Sequence, residues 1–281
     1  MVTKAQNAGW KMRITMLGTG HAMVTECYNT CFLLTEGERN FLVDGGGGNA
    51  ILRQLKYAGY HCSDIGDIFV THKHIDHILG VVWVIRTICQ CIAQGTTIMD
   101  VNIYAHEEVT VLIGDLLKKL LWREQWKKAG GHIHLIAVKD GETRNILGRN
   151  TTFFDIGSVK EKQFGFCMEL DNGKKLTCCG DESYHPCARE YAENSEWLMH
   201  EAYCLYSQAD IFSPYEKHHS TVKEACEIAE KLGVKNLILY HTEDRNLKER
   251  KKLYGGEGSR YFHGKLYIPD DLEVISILEE V

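Results

Sequence analysis

The stretch that decides the fold of this 281-residue chain reads Thr71-His72-Lys73-His74-Ile75-Asp76-His77. It ends an apolar segment, residues 65–71, that predicts a short β-strand. Three imidazoles and a carboxylate within six residues are the donors that a borderline divalent cation such as zinc prefers. So many titratable groups in one loop would cost stability unless a cation offset them. The stretch therefore predicts a metal-binding loop after a strand, with a solvated His-rich loop as the alternative.

Composition places the chain among ordinary soluble globular proteins. Hydrophobic residues make up 44% of the chain, charged residues make up 25%, and the formal net charge is −6. These proportions allow a sizeable buried core and exclude disordered and collagen-like chains. Because the charge balance is negative, we do not expect a protein that coats nucleic acid by charge alone.

Three features predict a cytoplasmic location. The N-terminal sequence shows neither the apolar region nor the cleavage pattern of a secretory signal. The most apolar stretch, residues 78–93, is interrupted by Arg86 and Gln90 and is predicted to fall short of a membrane span. Without an export signal, the eleven cysteines predict reduced thiols rather than a disulfide framework.

The order of the predicted elements indicates the α/β class. Strands alternate with amphipathic helices in both halves of the chain, and no linker rich in Ser, Gly or Pro interrupts them. We therefore predict one domain over residues 1–281. Two predicted helices cover residues 107–128 and 221–232, and the second begins at Thr221 with Glu224 as its capping partner.

Two further metal-ligand candidates follow predicted strands far along the chain. Asp181 comes after the strand at residues 175–179, and His241 comes directly after the strand at residues 236–240. Either residue alone would more often be a turn residue or a hydrogen-bonded structural group. Their shared position after apolar strands instead favours ligands grouped at one end of a sheet, as a metallo-hydrolase requires.

Several short motifs carry a resemblance to a known family. They are Met16-Leu17-Gly18-Thr19-Gly20, Phe41-Leu42-Val43-Asp44-Gly45-Gly46, residues 71–80, Gly180-Asp181, His200-Glu201-Ala202, His219-Ser220-Thr221 with Glu224-Ala225, and His241. In these motifs the chain resembles the metallo-β-lactamase superfamily over nearly its whole length, and within it the ribonuclease Z-like branch. The HxHxDH pattern is specific for the superfamily, whereas the HEA and HST segments point to the branch.

The resemblance implies a fold and a set of metal ligands. The fold would be a four-layer αββα arrangement, with two mixed β-sheets packed face to face and helices outside. Two divalent metal ions would bind, with Zn²⁺ preferred and Mn²⁺ or Fe as alternatives. The implied ligands are His72, His74 and Asp181 for the first ion, and Asp76, His77, Asp181 and His241 for the second.

The resemblance also implies catalytic roles. The nucleophile would be a metal-bound hydroxide, because coordination brings the pKa of water near neutrality. Asp76 would orient that water, and His219, steered by Glu201, would donate a proton to the leaving oxygen. The implied activity is that of a phosphodiesterase, because two ions can neutralise both the attacking and the leaving oxygen. Hydrolysis of another small ester or of a lactone in the same site is the alternative.

One position departs from the family pattern. The family places another first-ion histidine before the bridging aspartate, and the matching position here holds Gly157, which offers no side chain to a metal ion. Asp155 or His185 could replace that ligand, or the alignment of this strand is shifted. The departure leaves open a catalytically weakened or inactive metal-binding relative.

The substrate and partners are predicted from a second departure. Ribonuclease Z carries a long basic arm that grips tRNA, but here only residues 158–180 are available and a predicted hairpin uses most of them. Phosphate contacts dominate affinity for tRNA, so we expect this chain to bind tRNA poorly and to prefer a small phosphodiester or RNA-like substrate.

No membrane partner is predicted. The resemblance implies a homodimer, and Trp122 and Trp126 are interpreted as core or dimer contacts.

Overall fold

The computed structural model describes residues 10–97 and 99–279. Within them the chain divides into two compact units. Unit 1 comprises residues 10–18, 28–138 and 271–279 as far as they are described, and unit 2 comprises residues 19–27 and 139–270. The prediction of one domain over residues 1–281 stays a prediction.

Two mixed sheets of seven strands each, one in each unit, confirm the predicted α/β class. The strands are β1 (Trp10–Gly18), β2 (Cys31–Glu36), β3 (Arg39–Val43), β4 (Asp67–Phe69), β5 (Val101–Ala105), β6 (Ile133–Ala137), β7 (Glu142–Ile146), β8 (Arg149–Asp155), β9 (Phe164–Glu169), β10 (Lys175–Cys178), β11 (Trp197–Glu201), β12 (Asn236–Tyr240), β13 (Lys265–Tyr267) and β14 (Val274–Glu279).

Helices connect successive parallel strands in both units, as parallel pairing requires. They are α1 (Ala50–Ala58), α2 (Ile75–Ala93), α3 (Glu107–Leu120), α4 (Arg123–Ala129), α5 (Arg189–Ala192), α6 (Ala209–Phe212), α7 (Val222–Lys231) and α8 (Arg250–Gly258). Short 3₁₀ turns lie between several of these elements.

The sheet of unit 1 has the strand order β14-β1-β2-β3-β4-β5-β6. Strands β14, β1, β2 and β3 pair antiparallel, and β3 to β6 pair parallel. Helix α2 packs its buried face, including Val81 and Ile85, into the core of this unit. The loop after β4 carries His72 and His74 and runs into α2, whose first turn carries Asp76 and His77.

Helix α2 differs from the sequence-based prediction about membrane spans. By length and composition it is long and apolar enough to cross a membrane, so the interruptions at Arg86 and Gln90 do not disqualify it. However, 56% of its apolar window is buried inside the protein. Its hydrophobicity is thus used in the core of unit 1, as in the central helix of many globular proteins.

The predicted helix over residues 107–128 is wrong in one respect, because the chain breaks it into α3 and α4. Leu121 and Trp122 both adopt extended backbone conformations between the two helices. This break buries Leu121, whereas the preceding residue, Leu120, is 64% exposed. No proline or glycine announces the break, so packing of Leu121 overrides local helix propensity here.

The sheet of unit 2 has the strand order β13-β12-β11-β10-β9-β8-β7. Strands β10 to β13 pair parallel, and β7 to β10 pair antiparallel. The predicted capping box of α7 is confirmed, because Thr221 N and Oγ1 each lie 2.8 Å from Glu224 Oε2. Since β10, β11 and β12 are parallel neighbours, the residues that end or follow them meet at one edge of this sheet.

Candidate metal and catalytic site

The His-rich loop of unit 1 is organised by a buried carboxylate, that of Asp44. Thr71 donates its backbone N–H to Asp44 Oδ1 at 2.9 Å and its hydroxyl to Asp44 Oδ2 at 2.8 Å. Because the only proton of that hydroxyl is used, the contact between Thr71 Oγ1 and His72 Nδ1 at 2.9 Å must be donated by the imidazole. His72 is therefore protonated on Nδ1 and offers the lone pair of Nε2 as a ligand.

The same carboxylate also orients the imidazole of His77. His77 Nδ1 lies 2.8 Å from Asp44 Oδ2, which makes Nδ1 the donor and leaves Nε2 as the ligand atom. Asp44 itself has a positive φ of 57°, a conformation that Asp tolerates better than most residues. A carboxylate behind a histidine is the usual outer partner of a metal-binding imidazole, since it fixes the tautomer and orients the ring.

The ligand atoms of the loop approach one another as a shared cation requires. His72 Nε2 lies 2.8 Å from His74 Nδ1, and two nitrogens on one tetrahedral zinc ion are separated by about 3.3 Å. Asp76 Oδ2 lies 3.4 Å from His77 Nε2. Imidazole nitrogens and a carboxylate at these spacings fit a divalent metal of the zinc type. The residues of unit 1 therefore fit the implied cofactor.

In unit 2 a carboxylate and an imidazole meet at the strand ends, as the sequence predicted for Asp181 and His241. His241 Nε2 lies 2.9 Å from Asp181 Oδ1, and both side chains are buried. Gly180 and His241 both have positive φ angles, of 75° and 58°, which turn the chain sharply after β10 and β12. Strained non-glycine backbone of this kind concentrates at functional sites.

A third group, His219, joins this pair. Asp181, His219 and His241 each offer a ligand atom, and the three atoms lie within 4.8 Å of one another. His219 belongs to the segment before α7, whereas the other two follow β10 and β12. The parallel order of the strands is what brings residues so distant in sequence to one place.

Glu201, the last residue of β11, lies beside His219, the residue that the resemblance implies it orients. Its fully buried carboxylate accepts hydrogen bonds from Ser220 N and Ser220 Oγ, both at 2.6 Å. Its other oxygen lies 3.5 Å from His219 Nδ1. Burial raises the pKa of Glu201, but His219 and Ser220 outweigh it and lower that pKa overall. Burial likewise lowers the pKa of His219, and the Glu201 carboxylate outweighs it, so the pKa of His219 is raised.

The ring of His219 belongs to a stack of aromatic rings that the sequence did not predict. The ring of Tyr203 stacks on that of His219, with ring centroids 5.0 Å apart. The ring of His21 in turn stacks on that of Tyr203, with ring centroids 4.5 Å apart. His21 accepts a hydrogen bond from Met23 N on Nδ1. Burial and the neighbouring His241 lower the pKa of His21 to about 4, which keeps its ring neutral. The stack restricts His219 to one orientation beside Glu201.

Comparison with known proteins adds the family. The family model described as "Anti-Pycsar protein Apyc1" matches residues 12–259, which is most of the chain. The chain belongs to the Apyc1 family. The match covers every candidate site residue in both units.

A named relative and two solved structures are also similar to this Apyc1-family chain. Ribonuclease Z of Thermococcus sibiricus is 27% identical, with 96% of this chain and 97% of that protein aligned. The metallo-β-lactamase fold protein YhfI from Bacillus subtilis superposes with a TM-score of 0.75 at 21% identity, covering 94% of this chain and 98% of that one. Human tRNase Z, short form, superposes with a TM-score of 0.71 at 20% identity, covering 94% of this chain and 99% of that one.

These comparisons confirm the sequence-based identification of a metallo-β-lactamase fold in the ribonuclease Z-like branch. They also confirm the coarse functional prediction, a metal-dependent hydrolytic enzyme that resembles ribonuclease Z. The individual roles of the site residues stay predictions. In unit 1 the structure brings together His72, His74, Asp76 and His77, and in unit 2 it brings together Asp181, Glu201, His219 and His241.

Gly157, where the resemblance expects a ligand, has a backbone that suits glycine. Its φ is 74°, and a Cβ built there would lie 2.8 Å from Cys187 Sγ. Of the two substitutes, Asp155 accepts a hydrogen bond from Gly157 N at 2.9 Å, and His185 Nε2 lies 3.4 Å from Glu182 Oε2. Neither contact assigns a metal to these side chains, so both substitutions stay predictions.

Sequence reasoning assigned no role to Asp44, Thr71, His21 or Tyr203. Asp44 did carry a signal, since it follows a strand and precedes four glycines, as Asp181 follows a strand and a glycine. His21 and Tyr203 carry no such pattern. Only the fold of unit 2 shows that Tyr203 stacks on His219 and that His21 stacks on Tyr203.

Proposed function

We propose that this member of the Apyc1 family hydrolyses a phosphodiester with two divalent cations, Zn²⁺ rather than Mn²⁺ or Fe. The observation that carries the proposal is the convergence in unit 2 of the ligand candidates Asp181 and His241 with the acid pair His219 and Glu201. Ligands for a cation beside a buried carboxylate–histidine pair are what hydrolysis of such a bond requires.

The chain's own residues divide into ligands and proton donors. His72, His74 and Asp181 are proposed to hold the first cation, and Asp76, His77, Asp181 and His241 the second. When bound, the cations would activate water and neutralise charge on the phosphoryl oxygens. Asp76 is proposed to orient the attacking water through its carboxylate.

His219 is proposed as the general acid. The Glu201 carboxylate faces Nδ1 and favours a protonated imidazole, so the opposite nitrogen, Nε2, is the one that donates a proton to the leaving oxygen. A positioned histidine of this kind contributes about 10²- to 10⁴-fold to rate. The stacked ring of Tyr203 keeps that nitrogen in place.

The proposed substrate is a small phosphodiester or an RNA-like molecule. The relative from Thermococcus sibiricus is named a ribonuclease, which supports a phosphodiester as the bond that is cut. The net charge of −6 argues against a tRNA-sized ligand, because phosphate contacts dominate the affinity for such ligands. The absence of a tRNA-gripping arm stays a prediction.

Gly157 favours a second candidate, a metal-binding protein with weakened or absent turnover. Its missing side chain removes one expected ligand of the first cation, as set out above. Metal content and activity measured together separate the two candidates.

The test is elemental analysis of the purified protein, followed by hydrolysis of bis(p-nitrophenyl) phosphate. We expect two equivalents of zinc per chain and turnover that falls by at least about 10²-fold in Asp76→Ala. Asp115→Ala, which changes an exposed carboxylate on α3, is the control and should leave turnover unchanged. One equivalent or none, without turnover on any of several metals, would establish the second candidate instead.

The homodimer and the cytoplasmic location are proposals as well. The dimer follows from the resemblance to ribonuclease Z-like proteins, and Trp122, which is 67% exposed, is a candidate contact for it, whereas Trp126 packs against the core of unit 1. Light scattering of the purified protein tests the first proposal, and cell fractionation tests the second.

A further inference from the structure

We propose that Lys160 binds a non-bridging oxygen of the substrate phosphate beside His219 and makes the site selective for anionic esters. This inference rests on the proposed function and deepens it. It concerns a residue of unit 2 that neither the family motifs nor the sequence pattern assigns to any role.

The position of the Lys160 ammonium group carries the proposal. Lys160 Nζ lies 3.4 Å from His219 Nε2. Because Glu201 faces Nδ1 of the same ring, Lys160 reaches the one imidazole nitrogen that is left for the leaving oxygen. The ammonium group therefore sits where negative charge must arrive when a phosphodiester approaches the general acid.

The loop that carries Lys160 is held by buried polar groups rather than left to move freely. Val159 N donates to Glu182 Oε2 at 3.1 Å, and Asp181 N donates to Gln163 Oε1 at 3.2 Å. Glu182 and Gln163 are both fully buried. Since Glu182 follows Asp181 directly in sequence, the loop is tied to the same turn that carries a proposed metal ligand.

Gly157 makes the path of this loop possible. Its φ of 74° is accessible to glycine at little cost, and a Cβ built there would lie 2.8 Å from Cys187 Sγ, so that side chain would have to shift. The residue that appears as a missing ligand is thus the turn residue that directs the following chain towards His219.

The chemistry of a lysine suits the role. An ammonium group is a compact charge that pairs well with phosphate oxygens. In the proposed reaction, water attacks phosphorus, the bond from phosphorus to the leaving oxygen breaks, and His219 gives its Nε2 proton to that oxygen. Lys160 keeps all its protons and turns from its position beside His219 Nε2 to donate a hydrogen bond to a non-bridging phosphoryl oxygen. A neutral ester offers no anionic oxygen in its ground state, so it gains little from Lys160.

The experiment compares Lys160→Ala, Lys160→Arg and a matched control in the same loop, Lys162→Ala. The Lys162 ammonium group lies over the ring of Phe164, 5.4 Å from its centroid, and so faces a different partner. Substrates are bis(p-nitrophenyl) phosphate and the neutral ester p-nitrophenyl acetate. Inorganic phosphate serves as the probe for ground-state binding by titration calorimetry on the zinc-loaded protein.

We expect Lys160→Ala to lower kcat/KM for the diester by about 10- to 100-fold, the effect of losing one charge-assisted hydrogen bond. Inorganic phosphate should bind more weakly by a similar factor. Hydrolysis of the neutral ester should change by less than about twofold, Lys160→Arg should recover most of the loss, and Lys162→Ala should resemble the wild type.

Two results would overturn the proposal. If Lys160→Ala changes kcat/KM for the diester and the affinity for inorganic phosphate by less than about twofold, the ammonium group does not bind phosphate. An equal loss on both substrates with unchanged phosphate binding would assign Lys160 a structural role. If the wild type cleaves no diester, the proposed function fails, and phosphate binding by the variants still decides the role of Lys160. If Lys160→Ala unfolds early, Lys160→Met replaces it, because that side chain keeps most of the aliphatic stem.

Discussion

The two units supply their candidate ligands in different ways. In unit 1 four of them lie within the six residues from His72 to His77, and a single carboxylate, that of Asp44, orients two of the imidazoles. In unit 2 Asp181, His219 and His241 are separated by tens of residues and meet because β10, β11 and β12 are parallel neighbours. Local sequence therefore builds one cluster, and sheet topology builds the other.

This difference predicts where each cluster is vulnerable. In unit 1 the candidate ligands are already adjacent in sequence, so we expect metal affinity to fall when the organising carboxylate is lost. In unit 2 the strands fix the backbone positions, so we expect activity to change mainly when a side chain that carries a proton is replaced.

The largest effect that we expect in unit 2 comes from His219→Asn. This change removes the proposed general acid and should lower kcat on bis(p-nitrophenyl) phosphate by about 10²- to 10⁴-fold. The matched control is His218→Asn, because His218 is exposed and its positive φ of 58° is tolerated by asparagine. Equal activity of the two variants would show that His219 is not the general acid.

A smaller effect is expected in unit 1 from Asp44→Asn. The single oxygen of the amide cannot accept all three hydrogen bonds that the carboxylate accepts from Thr71 N, Thr71 Oγ1 and His77 Nδ1, so the imidazole tautomers are no longer enforced, and zinc affinity should fall by about 10- to 100-fold. Competition with a chromogenic chelator measures that affinity. Asp67→Asn, a half-buried carboxylate on β4 bonded to Asn102 and Tyr104, serves as the control. Equal zinc affinity in both variants would show that Asp44 does not organise the loop.

The smallest effect is a shift in pH dependence caused by Glu201→Gln. The Glu201 carboxylate raises the pKa of His219, so its removal should lower that pKa. A general acid must be protonated, and activity is lost as pH rises through its pKa. The basic limb of the kcat profile should therefore move to lower pH in the variant, and not in the control Glu243→Gln, whose buried carboxylate bonds to Asn246. An unmoved limb would mean that Glu201 does not set the protonation of His219.

Much of the fold followed from pattern, and the failures have physical causes. Strand β12 agrees with the sequence-based boundaries because an apolar run between turns defines it. Strand β7 was missed because its residues are polar, and α8 was missed because it contains three glycines. The break between α3 and α4 was missed because only the burial of Leu121 creates it.

The sequence by itself determined the branch of the superfamily, the loop ligands of unit 1 and the strand-end positions of Asp181 and His241, because short motifs specify donor chemistry and apolar runs specify strands. Tertiary structure decided what no local pattern encodes: the shared carboxylate of Asp44, the stack of His21 and Tyr203 on His219, and the approach of Lys160 to His219. Those contacts join residues far apart in sequence, and their geometry depends on strand order and on the left-handed turn at Gly157.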